Sequence, residues 1–443
     1  MHVAIVTAGG AGMFCGSCMH DNTWARALRD AGVEVTLIPT YTPIRVDEED
    51  LSSRRVFFGG INVYLEHKSR VWRTLPRWMT GWVDHPALIR FATRFGVSND
   101  AAVLGELTLD MLDGELGSQR RDVEELASFI ASDLKPDVVC FSNVLLVGAV
   151  RTLRQSFSGK IFCTLQGDDI FLNGLSEKHR QGAIDRISSR SADFDGFLVH
   201  SEYYRDHMSQ MLHLPVEKFS RIPLGIDFSG FAARERPRPD DDDFRIGYFA
   251  RICPEKGLHL LVEAVRKIRK DHPQVKLVAG GYLGSRDTSW FEQVQRDARD
   301  LGAAFEYIGS PAEQSEKAVF LQSLDVLSVP APYQEPKGIY VLESLACGVP
   351  VVQPAHGAYP EMLAATEGGL LFQPGNTDDL TEKLTSLIVD SARREALAVR
   401  GRKLVSEQYS LTAMTNATLS AFQACPQNAT DVTSHDPDRQ ETP

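Results

Sequence analysis

The sequence predicts an α/β protein made of two doubly wound domains that face each other across a cleft. Three observations predict this fold class. Short apolar runs alternate with segments of helical periodicity, the runs fall into two sets, and a charged stretch separates the sets. The chain has 443 residues, which suits two or three domains of ordinary size. Each half is therefore long enough to bury a core of its own.

The predicted strands are rich in Val, Ile and Phe and carry few charges, as expected for parallel strands covered on both faces. In the first half they are Val3–Thr7, Val33–Pro39, Val138–Ser142, Ile161–Leu165 and Phe197–His200. In the second half they are Arg245–Ala250, Val275–Ala279, Phe305–Ile308, Val326–Val329 and Val351–Gln353. Each set predicts a Rossmann-like unit with one parallel sheet.

Helical periodicity is clearest in three segments of the second half. One follows the opening strand, and the other two follow Asn376 and Ser410, which are good N-cap residues. Their apolar positions are, in order, Leu258, Leu261, Val262, Val265 and Ile268; Leu380, Leu384 and Leu387; and Met414 and Phe422.

Two polar stretches indicate where packed structure stops. Phe231–Asp243 carries prolines, arginines and four consecutive aspartates, which predicts a linker. The last residues are polar, acidic and proline-bearing, which predicts a disordered tail. The resulting divisions are a first domain at 1–228, a linker at 229–243, a second domain at 244–405, a helix at 406–425 that crosses back to the first domain, and the tail at 426–443.

Composition excludes several classes of function. The formal net charge is −12, from 47 Lys and Arg against 59 Asp and Glu, which disfavours a general nucleic-acid binder. The sequence contains no run of eighteen apolar residues that would predict a membrane span, and its first residues lack the basic region of a signal peptide. Seven cysteines, an odd number in a long chain, suit a reducing compartment. We expect a cytoplasmic, enzyme-sized protein.

A basic, tryptophan-bearing segment lies at residues 68–94. Trp72, Trp78 and Trp82 stand among six Lys and Arg residues, with only Asp84 opposing them. One interpretation is contact with an anionic acceptor or with the inner face of a membrane. The other is an inserted helical cap whose tryptophans pack on their own domain. The sequence leaves both open.

The first strand leads into GGAGMFCGSC and then into a helix, so backbone amides there can approach a phosphate. The dinucleotide pattern G-x-G-x-x-G fails at Cys15, which disfavours NAD. Cys15 and Cys18 also form a C-x-x-C at a helix N-terminus, which keeps a thiol-disulfide oxidoreductase as a hypothesis of another class. A chain this much larger than thioredoxin, and the ease of packing small residues there, argue against it.

Two segments of the second domain carry charges suited to a phosphorylated ligand. Arg251 and Lys256 lie five positions apart on a strand-to-helix turn, where both can approach one anion. In PYQEPKGIYVLE, Pro336 fits the start of a helix that ends near Gly348. Glu335 then lies just before that helix and Glu343 about two turns into it.

Backbone amides complete this second segment. Gly338 and Ile339 offer N–H groups to an anion at the predicted helix N-terminus. Downstream, Gly357-Ala358-Tyr359-Pro360-Glu361 forms another loop with an acidic end.

These residues carry a family resemblance. Glu335 and Glu343 form an E-x7-E motif which, with the loop of Arg251 and Lys256, resembles retaining glycosyltransferases of family 4 with the GT-B fold. The likeness extends over most of the chain. Its further motifs are the glycine loop near Gly16, TLQGDDI at Thr164–Ile170, PLGID at Pro223–Asp227 and QPGNTDDL at Gln373–Leu380.

The resemblance implies transfer of a sugar, with retention, from a nucleotide-diphosphate sugar to the hydroxyl of a carbohydrate, small-molecule or lipid acceptor. It implies no metal or other cofactor. The implied catalytic residues are Arg251 and Lys256, which would neutralise the diphosphate leaving group, and Glu335, which would contact the donor sugar. Retention would follow from attack on the face that the phosphate leaves. A same-fold glycosyl phosphorylase or a nucleotide-sugar epimerase is the alternative.

The implied substrate-binding residues lie on both sides of the cleft. Glu343 would contact the ribose, and the other residues would contact phosphate or sugar; the set is Gly16, Ser17, Gln166, Asp169, Gly338, Ile339 and Glu343. The sequence departs from the family pattern at Ser17, at Gln166 where histidine is usual, at Leu224 where asparagine is usual, and at Lys337 where an aromatic residue is common. These departures bear on which sugar is bound.

A metal-dependent transferase would use a D-x-D motif after a strand. Asp193-Phe194-Asp195 matches the letters but precedes a predicted strand, and Asp240–Asp243 lies in the linker. Two cations and a helix N-terminus can instead carry the diphosphate charge.

Overall fold

The computed structural model describes residues 1–9, 16–42, 44, 46, 49–53, 57–58, 101–231 and 243–425. Several predicted features lie outside the described residues. They are Cys15, the basic segment at 68–94, linker residues 232–242 and the tail at 426–443. Within the described ranges, none of the helices is long and apolar enough to cross a membrane.

The first domain contains one parallel sheet of six strands in the order β2-β1-β3-β4-β5-β6. Neighbouring strands are in parallel register, with Val3 opposite Val138 and Phe162 opposite Gly196. The strands are β1 His2–Thr7, β2 Glu34–Pro39, β3 Val138–Phe141, β4 Lys160–Thr164, β5 Gly196–Val199 and β6 Phe219–Arg221.

The second domain contains another parallel sheet of six strands, in the order β12-β11-β10-β7-β8-β9. Its strands are β7 Phe244–Phe249, β8 Val275–Gly280, β9 Phe305–Tyr307, β10 Val326–Leu327, β11 Val351–Pro354 and β12 Gly369–Phe372. The predicted fold class, two doubly wound α/β domains, is confirmed.

All ten predicted apolar runs form strands, and the two strands that sequence reasoning missed, β6 and β12, are sheet edges. Only one residue of these two strands, Phe372, is fully buried. An edge strand has one neighbour and one open side, so it needs no continuous run of buried residues. Edge position alone does not explain the omission, because β2 and β9 are also edges and were predicted. Strand β6 has Phe219 as its only apolar residue, whereas β12 is apolar and was overlooked.

Helices cover the sheets and connect the strands. In the first domain they are α1 Gly16–Asp30, α2 Ala101–Asp113, α3 Arg120–Ser128, α4 Val150–Ser156, α5 Asp168–Asn173, α6 Glu177–Arg190 and α7 Glu202–Leu212. In the second half they are α8 Leu258–Ile268, α9 Thr288–Asp297, α10 Gln314–Gln322, α11 Ile339–Ala346, α12 Tyr359–Thr366, α13 Thr377–Val389, α14 Ser391–Gln408 and α15 Leu411–Ala424.

The three periodic segments are confirmed as α8, α13 and α15, with every predicted apolar position buried. Asn376 caps α13 by accepting hydrogen bonds from the backbone N–H groups of Asp378 and Asp379, at 3.1 and 3.0 Å. Ser410 caps α15 by accepting one from Ala413 at 3.2 Å. Capping side chains satisfy N–H groups that have no partner within the helix.

The predicted start of α11 at Pro336 is wrong. Gly338 has a φ of +63°, which breaks the right-handed helical path, so the helix begins at Ile339. Glu343 consequently lies just over one turn into the helix rather than two. The short segment between Glu335 and Ile339 is a loop.

The last helix, α15, packs on the first domain. The Trp24 indole N–H donates to the Thr418 hydroxyl at 3.1 Å. The Phe422 ring lies 5.0 Å from that of Phe162 and 6.5 Å from that of Trp24, measured between centroids. Met414 is buried in the same cluster. The chain therefore returns, after the second sheet, to complete one face of the first.

We expect Phe422→Ala to lower the free energy of unfolding by about 3–5 kcal/mol, because it removes a buried aromatic ring from a packed cluster. Chemical denaturation monitored by circular dichroism measures the change. The matched control is Asn416→Ala, at an exposed position of the same helix, which should leave stability nearly unchanged. Equal stability of both variants would contradict the packing role of α15.

Candidate active site in the cleft

The carboxyl ends of the two parallel sheets meet at one cleft, the usual ligand position in doubly wound folds. Lys337, from the loop before α11, reaches across it. Its ammonium donates to the side-chain oxygen of Gln166 at 3.1 Å and to the hydroxyl of Ser17 at 3.3 Å. The structure thus joins two predicted residues of the first domain to Lys337 of the second, which the sequence analysis named only as a departure from the family pattern.

Lys256 and Glu335 form an ion pair at the second-domain side of the cleft. Lys256 ends a single 3-10 turn, Pro254–Lys256, between β7 and α8. Both side chains are mostly buried, with exposed fractions of 16% and 8%. The Lys256 ammonium also lies 5.8 Å from the ring centroid of Tyr333 and 5.7 Å from that of Tyr340. Two aromatic walls therefore shield this ion pair from water.

The Glu335 carboxylate is held in its ionised form. Burial alone would raise its pKa, but the charges of Lys256 and Lys337, with the hydrogen bonds of Lys256 and the Gly338 N–H, hold the pKa below its ordinary value. The Gly338 amide is therefore directed at Glu335. Ile339 is the first residue of α11, where a backbone N–H has no acceptor within the helix.

Arg251 lies on the same loop as Lys256 but has different partners. Its Nε donates to the Cys253 sulfur at 3.3 Å, and its Nη2 lies 3.8 Å from a Glu255 carboxylate oxygen. The Arg251 side chain is 44% exposed, so it can turn toward a ligand without opening a buried pair. That both cations meet one diphosphate stays a prediction.

Glu343 forms a second buried ion pair, with Lys317 of α10 at 2.8 Å. Both side chains are less than a tenth exposed. Sequence reasoning missed Lys317. The available signal was a lysine beside Ala318, Phe320 and Leu321, which are buried on the same helix. A buried lysine needs an acidic partner, and α11 supplies it. Contact of Glu343 with a ribose stays a prediction.

On the first-domain side, the Gln166 amide is fixed by its neighbours. Its Nε2 donates to Asp21 at 2.9 Å and to the Ser142 carbonyl at 3.0 Å. Asp21 is held in turn by the Thr7 hydroxyl at 2.7 Å. These bonds leave the Gln166 oxygen directed at Lys337, so its orientation is determined before any sugar binds.

Asp169 bridges the two domains. Its carboxylate accepts hydrogen bonds from Tyr204 of the first domain at 2.8 Å and from Tyr333 of the second at 3.0 Å. Burial alone would raise its pKa, but the His207 imidazole, 3.6 Å away, and the hydrogen bonds from Tyr204 and Tyr333 hold the pKa below its ordinary value. This predicted substrate contact is already occupied by protein hydroxyls, and its structural role is to join the domains.

Gly16 and Ser17 begin α1, and Gly16 is exposed. Beneath them lies a histidine pair that sequence reasoning missed. The rings of His20 and His200 are 4.4 Å apart, edge to face, and both side chains are buried. Burial, with the charge of Lys337, lowers the pKa of both imidazoles. Both imidazoles are therefore neutral at pH 7.

Two competing hypotheses meet structural obstacles. Cys18 is 2% exposed and sits 3.9 Å from the Thr7 hydroxyl, so a substrate disulfide cannot reach its thiol without local opening. In the D-x-D sequence, Asp195 precedes β5 and accepts from Arg154 at 2.6 Å and from the Ile161 N–H at 2.7 Å. Its role is structural. Nowhere in the described ranges do three or more His, Cys, Asp or Glu side chains form a metal-binding group.

Comparison with known proteins finds a family model that matches the second domain. The family model for glycosyl transferases group 1 matches residues 231–404. The D-inositol 3-phosphate glycosyltransferase of Stackebrandtia nassauensis is 29% identical over 221 residues, which cover 47% of this chain and 49% of that protein. A GDP-mannose-dependent alpha-(1-6)-phosphatidylinositol monomannoside mannosyltransferase of Mycolicibacterium smegmatis is 30% identical over 238 residues, which cover 50% and 59%. The chain thus spans about half the length of these relatives.

The fold resembles that of a solved protein. Sucrose-phosphate synthase from Thermosynechococcus elongatus superposes with a TM-score of 0.70, covering 96% of this chain and 98% of that one at 18% sequence identity. This likeness concerns the fold alone, and it agrees with the two sheets described above. The expected GT-B architecture is confirmed.

We expect acid to destabilise the protein through the buried histidine pair. Because the pKa values are lowered in the folded state, the unfolded chain binds more protons than the folded protein once pH falls below the unfolded value near 6.5. The free energy of unfolding should therefore fall as pH drops below that value. Each histidine contributes a slope of up to about 1.4 kcal/mol per pH unit. Urea denaturation between pH 7.5 and 5.5 measures it.

The variant His200→Phe should reduce that slope, because one proton-binding site disappears from the unfolded chain while an aromatic ring remains. The control is His213→Asn, an exposed histidine with a φ of +53°, a conformation that asparagine tolerates. If the slope of the unfolding free energy against pH is unchanged in His200→Phe, the buried histidine pair is not its source.

Proposed function

We propose that the chain is a retaining glycosyltransferase, because residues 231–404 match the glycosyl transferases group 1 family. It transfers a sugar from a nucleotide-diphosphate sugar to an acceptor hydroxyl. The second domain binds the donor, and the first domain binds the acceptor.

The buried Lys256–Glu335 pair is the observation that carries this proposal. When a bond between a sugar and a phosphate breaks, positive charge develops on the sugar ring and negative charge on the departing phosphate. An ionised carboxylate beside an ammonium offers a partner to each charge. Both are fixed by buried contacts, so little reorganisation is needed during the reaction.

The diphosphate is proposed to rest on charges from the protein. Lys256 and Arg251 lie on the loop after β7, and the N-terminus of α11 presents the Ile339 amide from the other side. These groups would neutralise the leaving group in the absence of a metal ion, so we propose a metal-independent reaction.

Retention is proposed to follow from attack on the face that the phosphate leaves. Glu335 is paired with Lys256, which makes it an electrostatic and positioning group rather than a free nucleophile. The departing phosphate oxygen then accepts the proton of the acceptor hydroxyl. The sugar–phosphate bond breaks, the bond to the acceptor oxygen forms, and the acceptor proton passes to the phosphate. The reaction therefore needs no covalent sugar–enzyme intermediate.

The acceptor is proposed to be a hydroxyl-bearing carbohydrate, small molecule or lipid. The relatives bear on this choice, because their names specify an inositol phosphate in one case and a phosphatidylinositol mannoside in the other. A peripheral membrane contact through residues 68–94 would suit a lipid acceptor. That contact remains a proposal and lies outside the described residues.

A thermal-shift screen of UDP, GDP and ADP sugars tests donor binding. We expect one nucleotide class to raise the melting temperature, because a ligand present at a hundred times its Kd stabilises the folded state by about 2.7 kcal/mol. The cognate donor should then be consumed in the presence of inositol-like or lipid acceptors. No shift with any nucleotide sugar or free nucleotide would contradict the proposal.

Kinetics of three variants separate the proposed roles. Arg251→Ala and Lys256→Ala should each lower kcat by roughly a hundredfold, or about 3 kcal/mol, because the leaving group gains its charge in the transition state. Glu343→Ala should instead weaken nucleotide binding measured by calorimetry, because a ribose contact is made equally in ground and transition states.

The control for these variants is Arg266→Ala, which removes a surface arginine paired with Asp300 in the same domain. It should keep wild-type kcat. Lys256→Ala leaves Glu335 without its counter-ion, so its loss of turnover could come from loss of folding. The double variant Lys256→Met/Glu335→Gln buries no unpaired charge, so it should stay folded and still lose turnover. Near-normal kcat in both cation variants would overturn the leaving-group assignment.

A further inference from the structure

Residues 357–361, with the sequence GAYPE, comprise the end of the turn after β11 and the first three residues of α12, and we call them the coupling segment. This is the loop with an acidic end that the proposed chemistry does not use. It contacts the Glu335 backbone directly, the Glu335 carboxylate through Tyr340, and the first domain through Glu361.

The coupling segment packs directly on the Glu335 backbone. The Ala358 N–H donates to the Glu335 carbonyl at 2.8 Å. Gly357 has a φ of +61°, and a Cβ atom there would lie 2.6 Å from the same carbonyl oxygen. A side chain at Gly357 would therefore push the Glu335 loop away.

The coupling segment also reaches the Glu335 carboxylate. The Tyr359 hydroxyl is hydrogen-bonded to the Tyr340 hydroxyl, and Tyr340 donates to Glu335 Oε2 at 3.4 Å. Both tyrosines are buried. Displacement of Tyr359 would therefore change the surroundings of the charged oxygen that also pairs with Lys256.

Its acidic end crosses to the first domain. The Glu361 carboxylate accepts hydrogen bonds from the N–H groups of Glu202 at 2.9 Å and Tyr203 at 3.0 Å, the first two residues of α7. Those N–H groups have no acceptor within their own helix, and the positive end of the helix dipole favours the carboxylate. Glu361 thus caps a helix of the other domain.

A second bond joins the same helix end to the Glu335 loop. Ser201, the N-cap of α7, donates through its hydroxyl to the Pro336 carbonyl at 3.1 Å. Pro336 follows Glu335 directly. The start of α7 therefore holds the Glu335 loop on one side and the coupling segment on the other.

We propose that the coupling segment transmits closure of the cleft to Glu335, and that Glu361 is a positioning residue of the proposed transferase reaction. When the domains approach, the start of α7 engages Glu361 and Pro336, and the loop around Glu335 takes its working position. When they separate, both engagements are lost together. The inference rests on the proposed function for its catalytic consequence, and on the contacts alone for closure.

The Glu202 N–H provides the test. Glu202→Pro removes that donor at the first position of a helix, where proline is well tolerated. Glu202→Ala is the matched control, because both variants lose the ion pairs of the Glu202 side chain with Arg205 and Arg221, and only Pro loses the N–H. Glu361→Ala removes the acceptor, and Glu361→Gln keeps one oxygen of the pair.

We expect Glu202→Pro and Glu361→Ala to lower kcat at least roughly tenfold while nucleotide affinity stays within about twofold, because misplacement of a reacting group affects turnover and not ground-state binding. Glu202→Ala should match the wild type, and Glu361→Gln should lie between. Melting temperatures recorded in parallel identify any variant that has merely lost stability.

Domain separation, measured by small-angle scattering or by a pair of spin labels, should increase in Glu202→Pro and Glu361→Ala but not in Glu202→Ala. Equal kcat in the Pro and Ala variants overturns the inference, whatever the separation. If the wild type transfers no sugar, the proposed function fails by itself. In that case equal separation in the Pro and Ala variants overturns the closure contact independently.

Discussion

The pairing of Lys256 with Glu335 is the constraint on which the rest of the site depends. A charge buried to this degree is tolerated only when a partner of opposite sign and hydrogen bonds replace water. Each wall of the pair is therefore a polar or aromatic residue that the fold must supply: Tyr333, Tyr340 and the Gly338 amide. Tyr333, Glu335 and Gly338 all lie on the loop between β10 and α11, so this loop supplies one charge of the pair and two of its neighbours.

Several contacts across the cleft are directional polar bonds. Tyr333 with Asp169, Lys337 with Gln166, and Glu361 with the start of α7 each join one residue of the second domain to the first. Such bonds are nearly as good when exchanged for bonds to water, whereas an apolar interface would resist opening. This chemistry suits a cleft that opens and closes, as the proposed transferase reaction requires.

Sequence reasoning succeeded where burial imposes a pattern. The central strands of both sheets are covered on both faces and therefore appear as apolar runs, whereas β6, with one apolar residue in three, leaves a weaker signal. The caps at Asn376 and Ser410 were readable because they act within four residues. The start of α11 was misplaced because the backbone conformation of Gly338 overrides the preference of Pro336 for a first helical position.

The sequence by itself determined the two-domain α/β class, the order of the elements and the charged residues at the strand ends, because hydrophobic periodicity and capping are local properties. Only the tertiary structure decided which polar and charged groups are paired. Lys317 with Glu343, Asp169 with Tyr333 and Glu361 with α7 join residues separated by between 26 and 164 positions. No local rule links such distant residues, since their meeting depends on how two sheets and their loops pack in space.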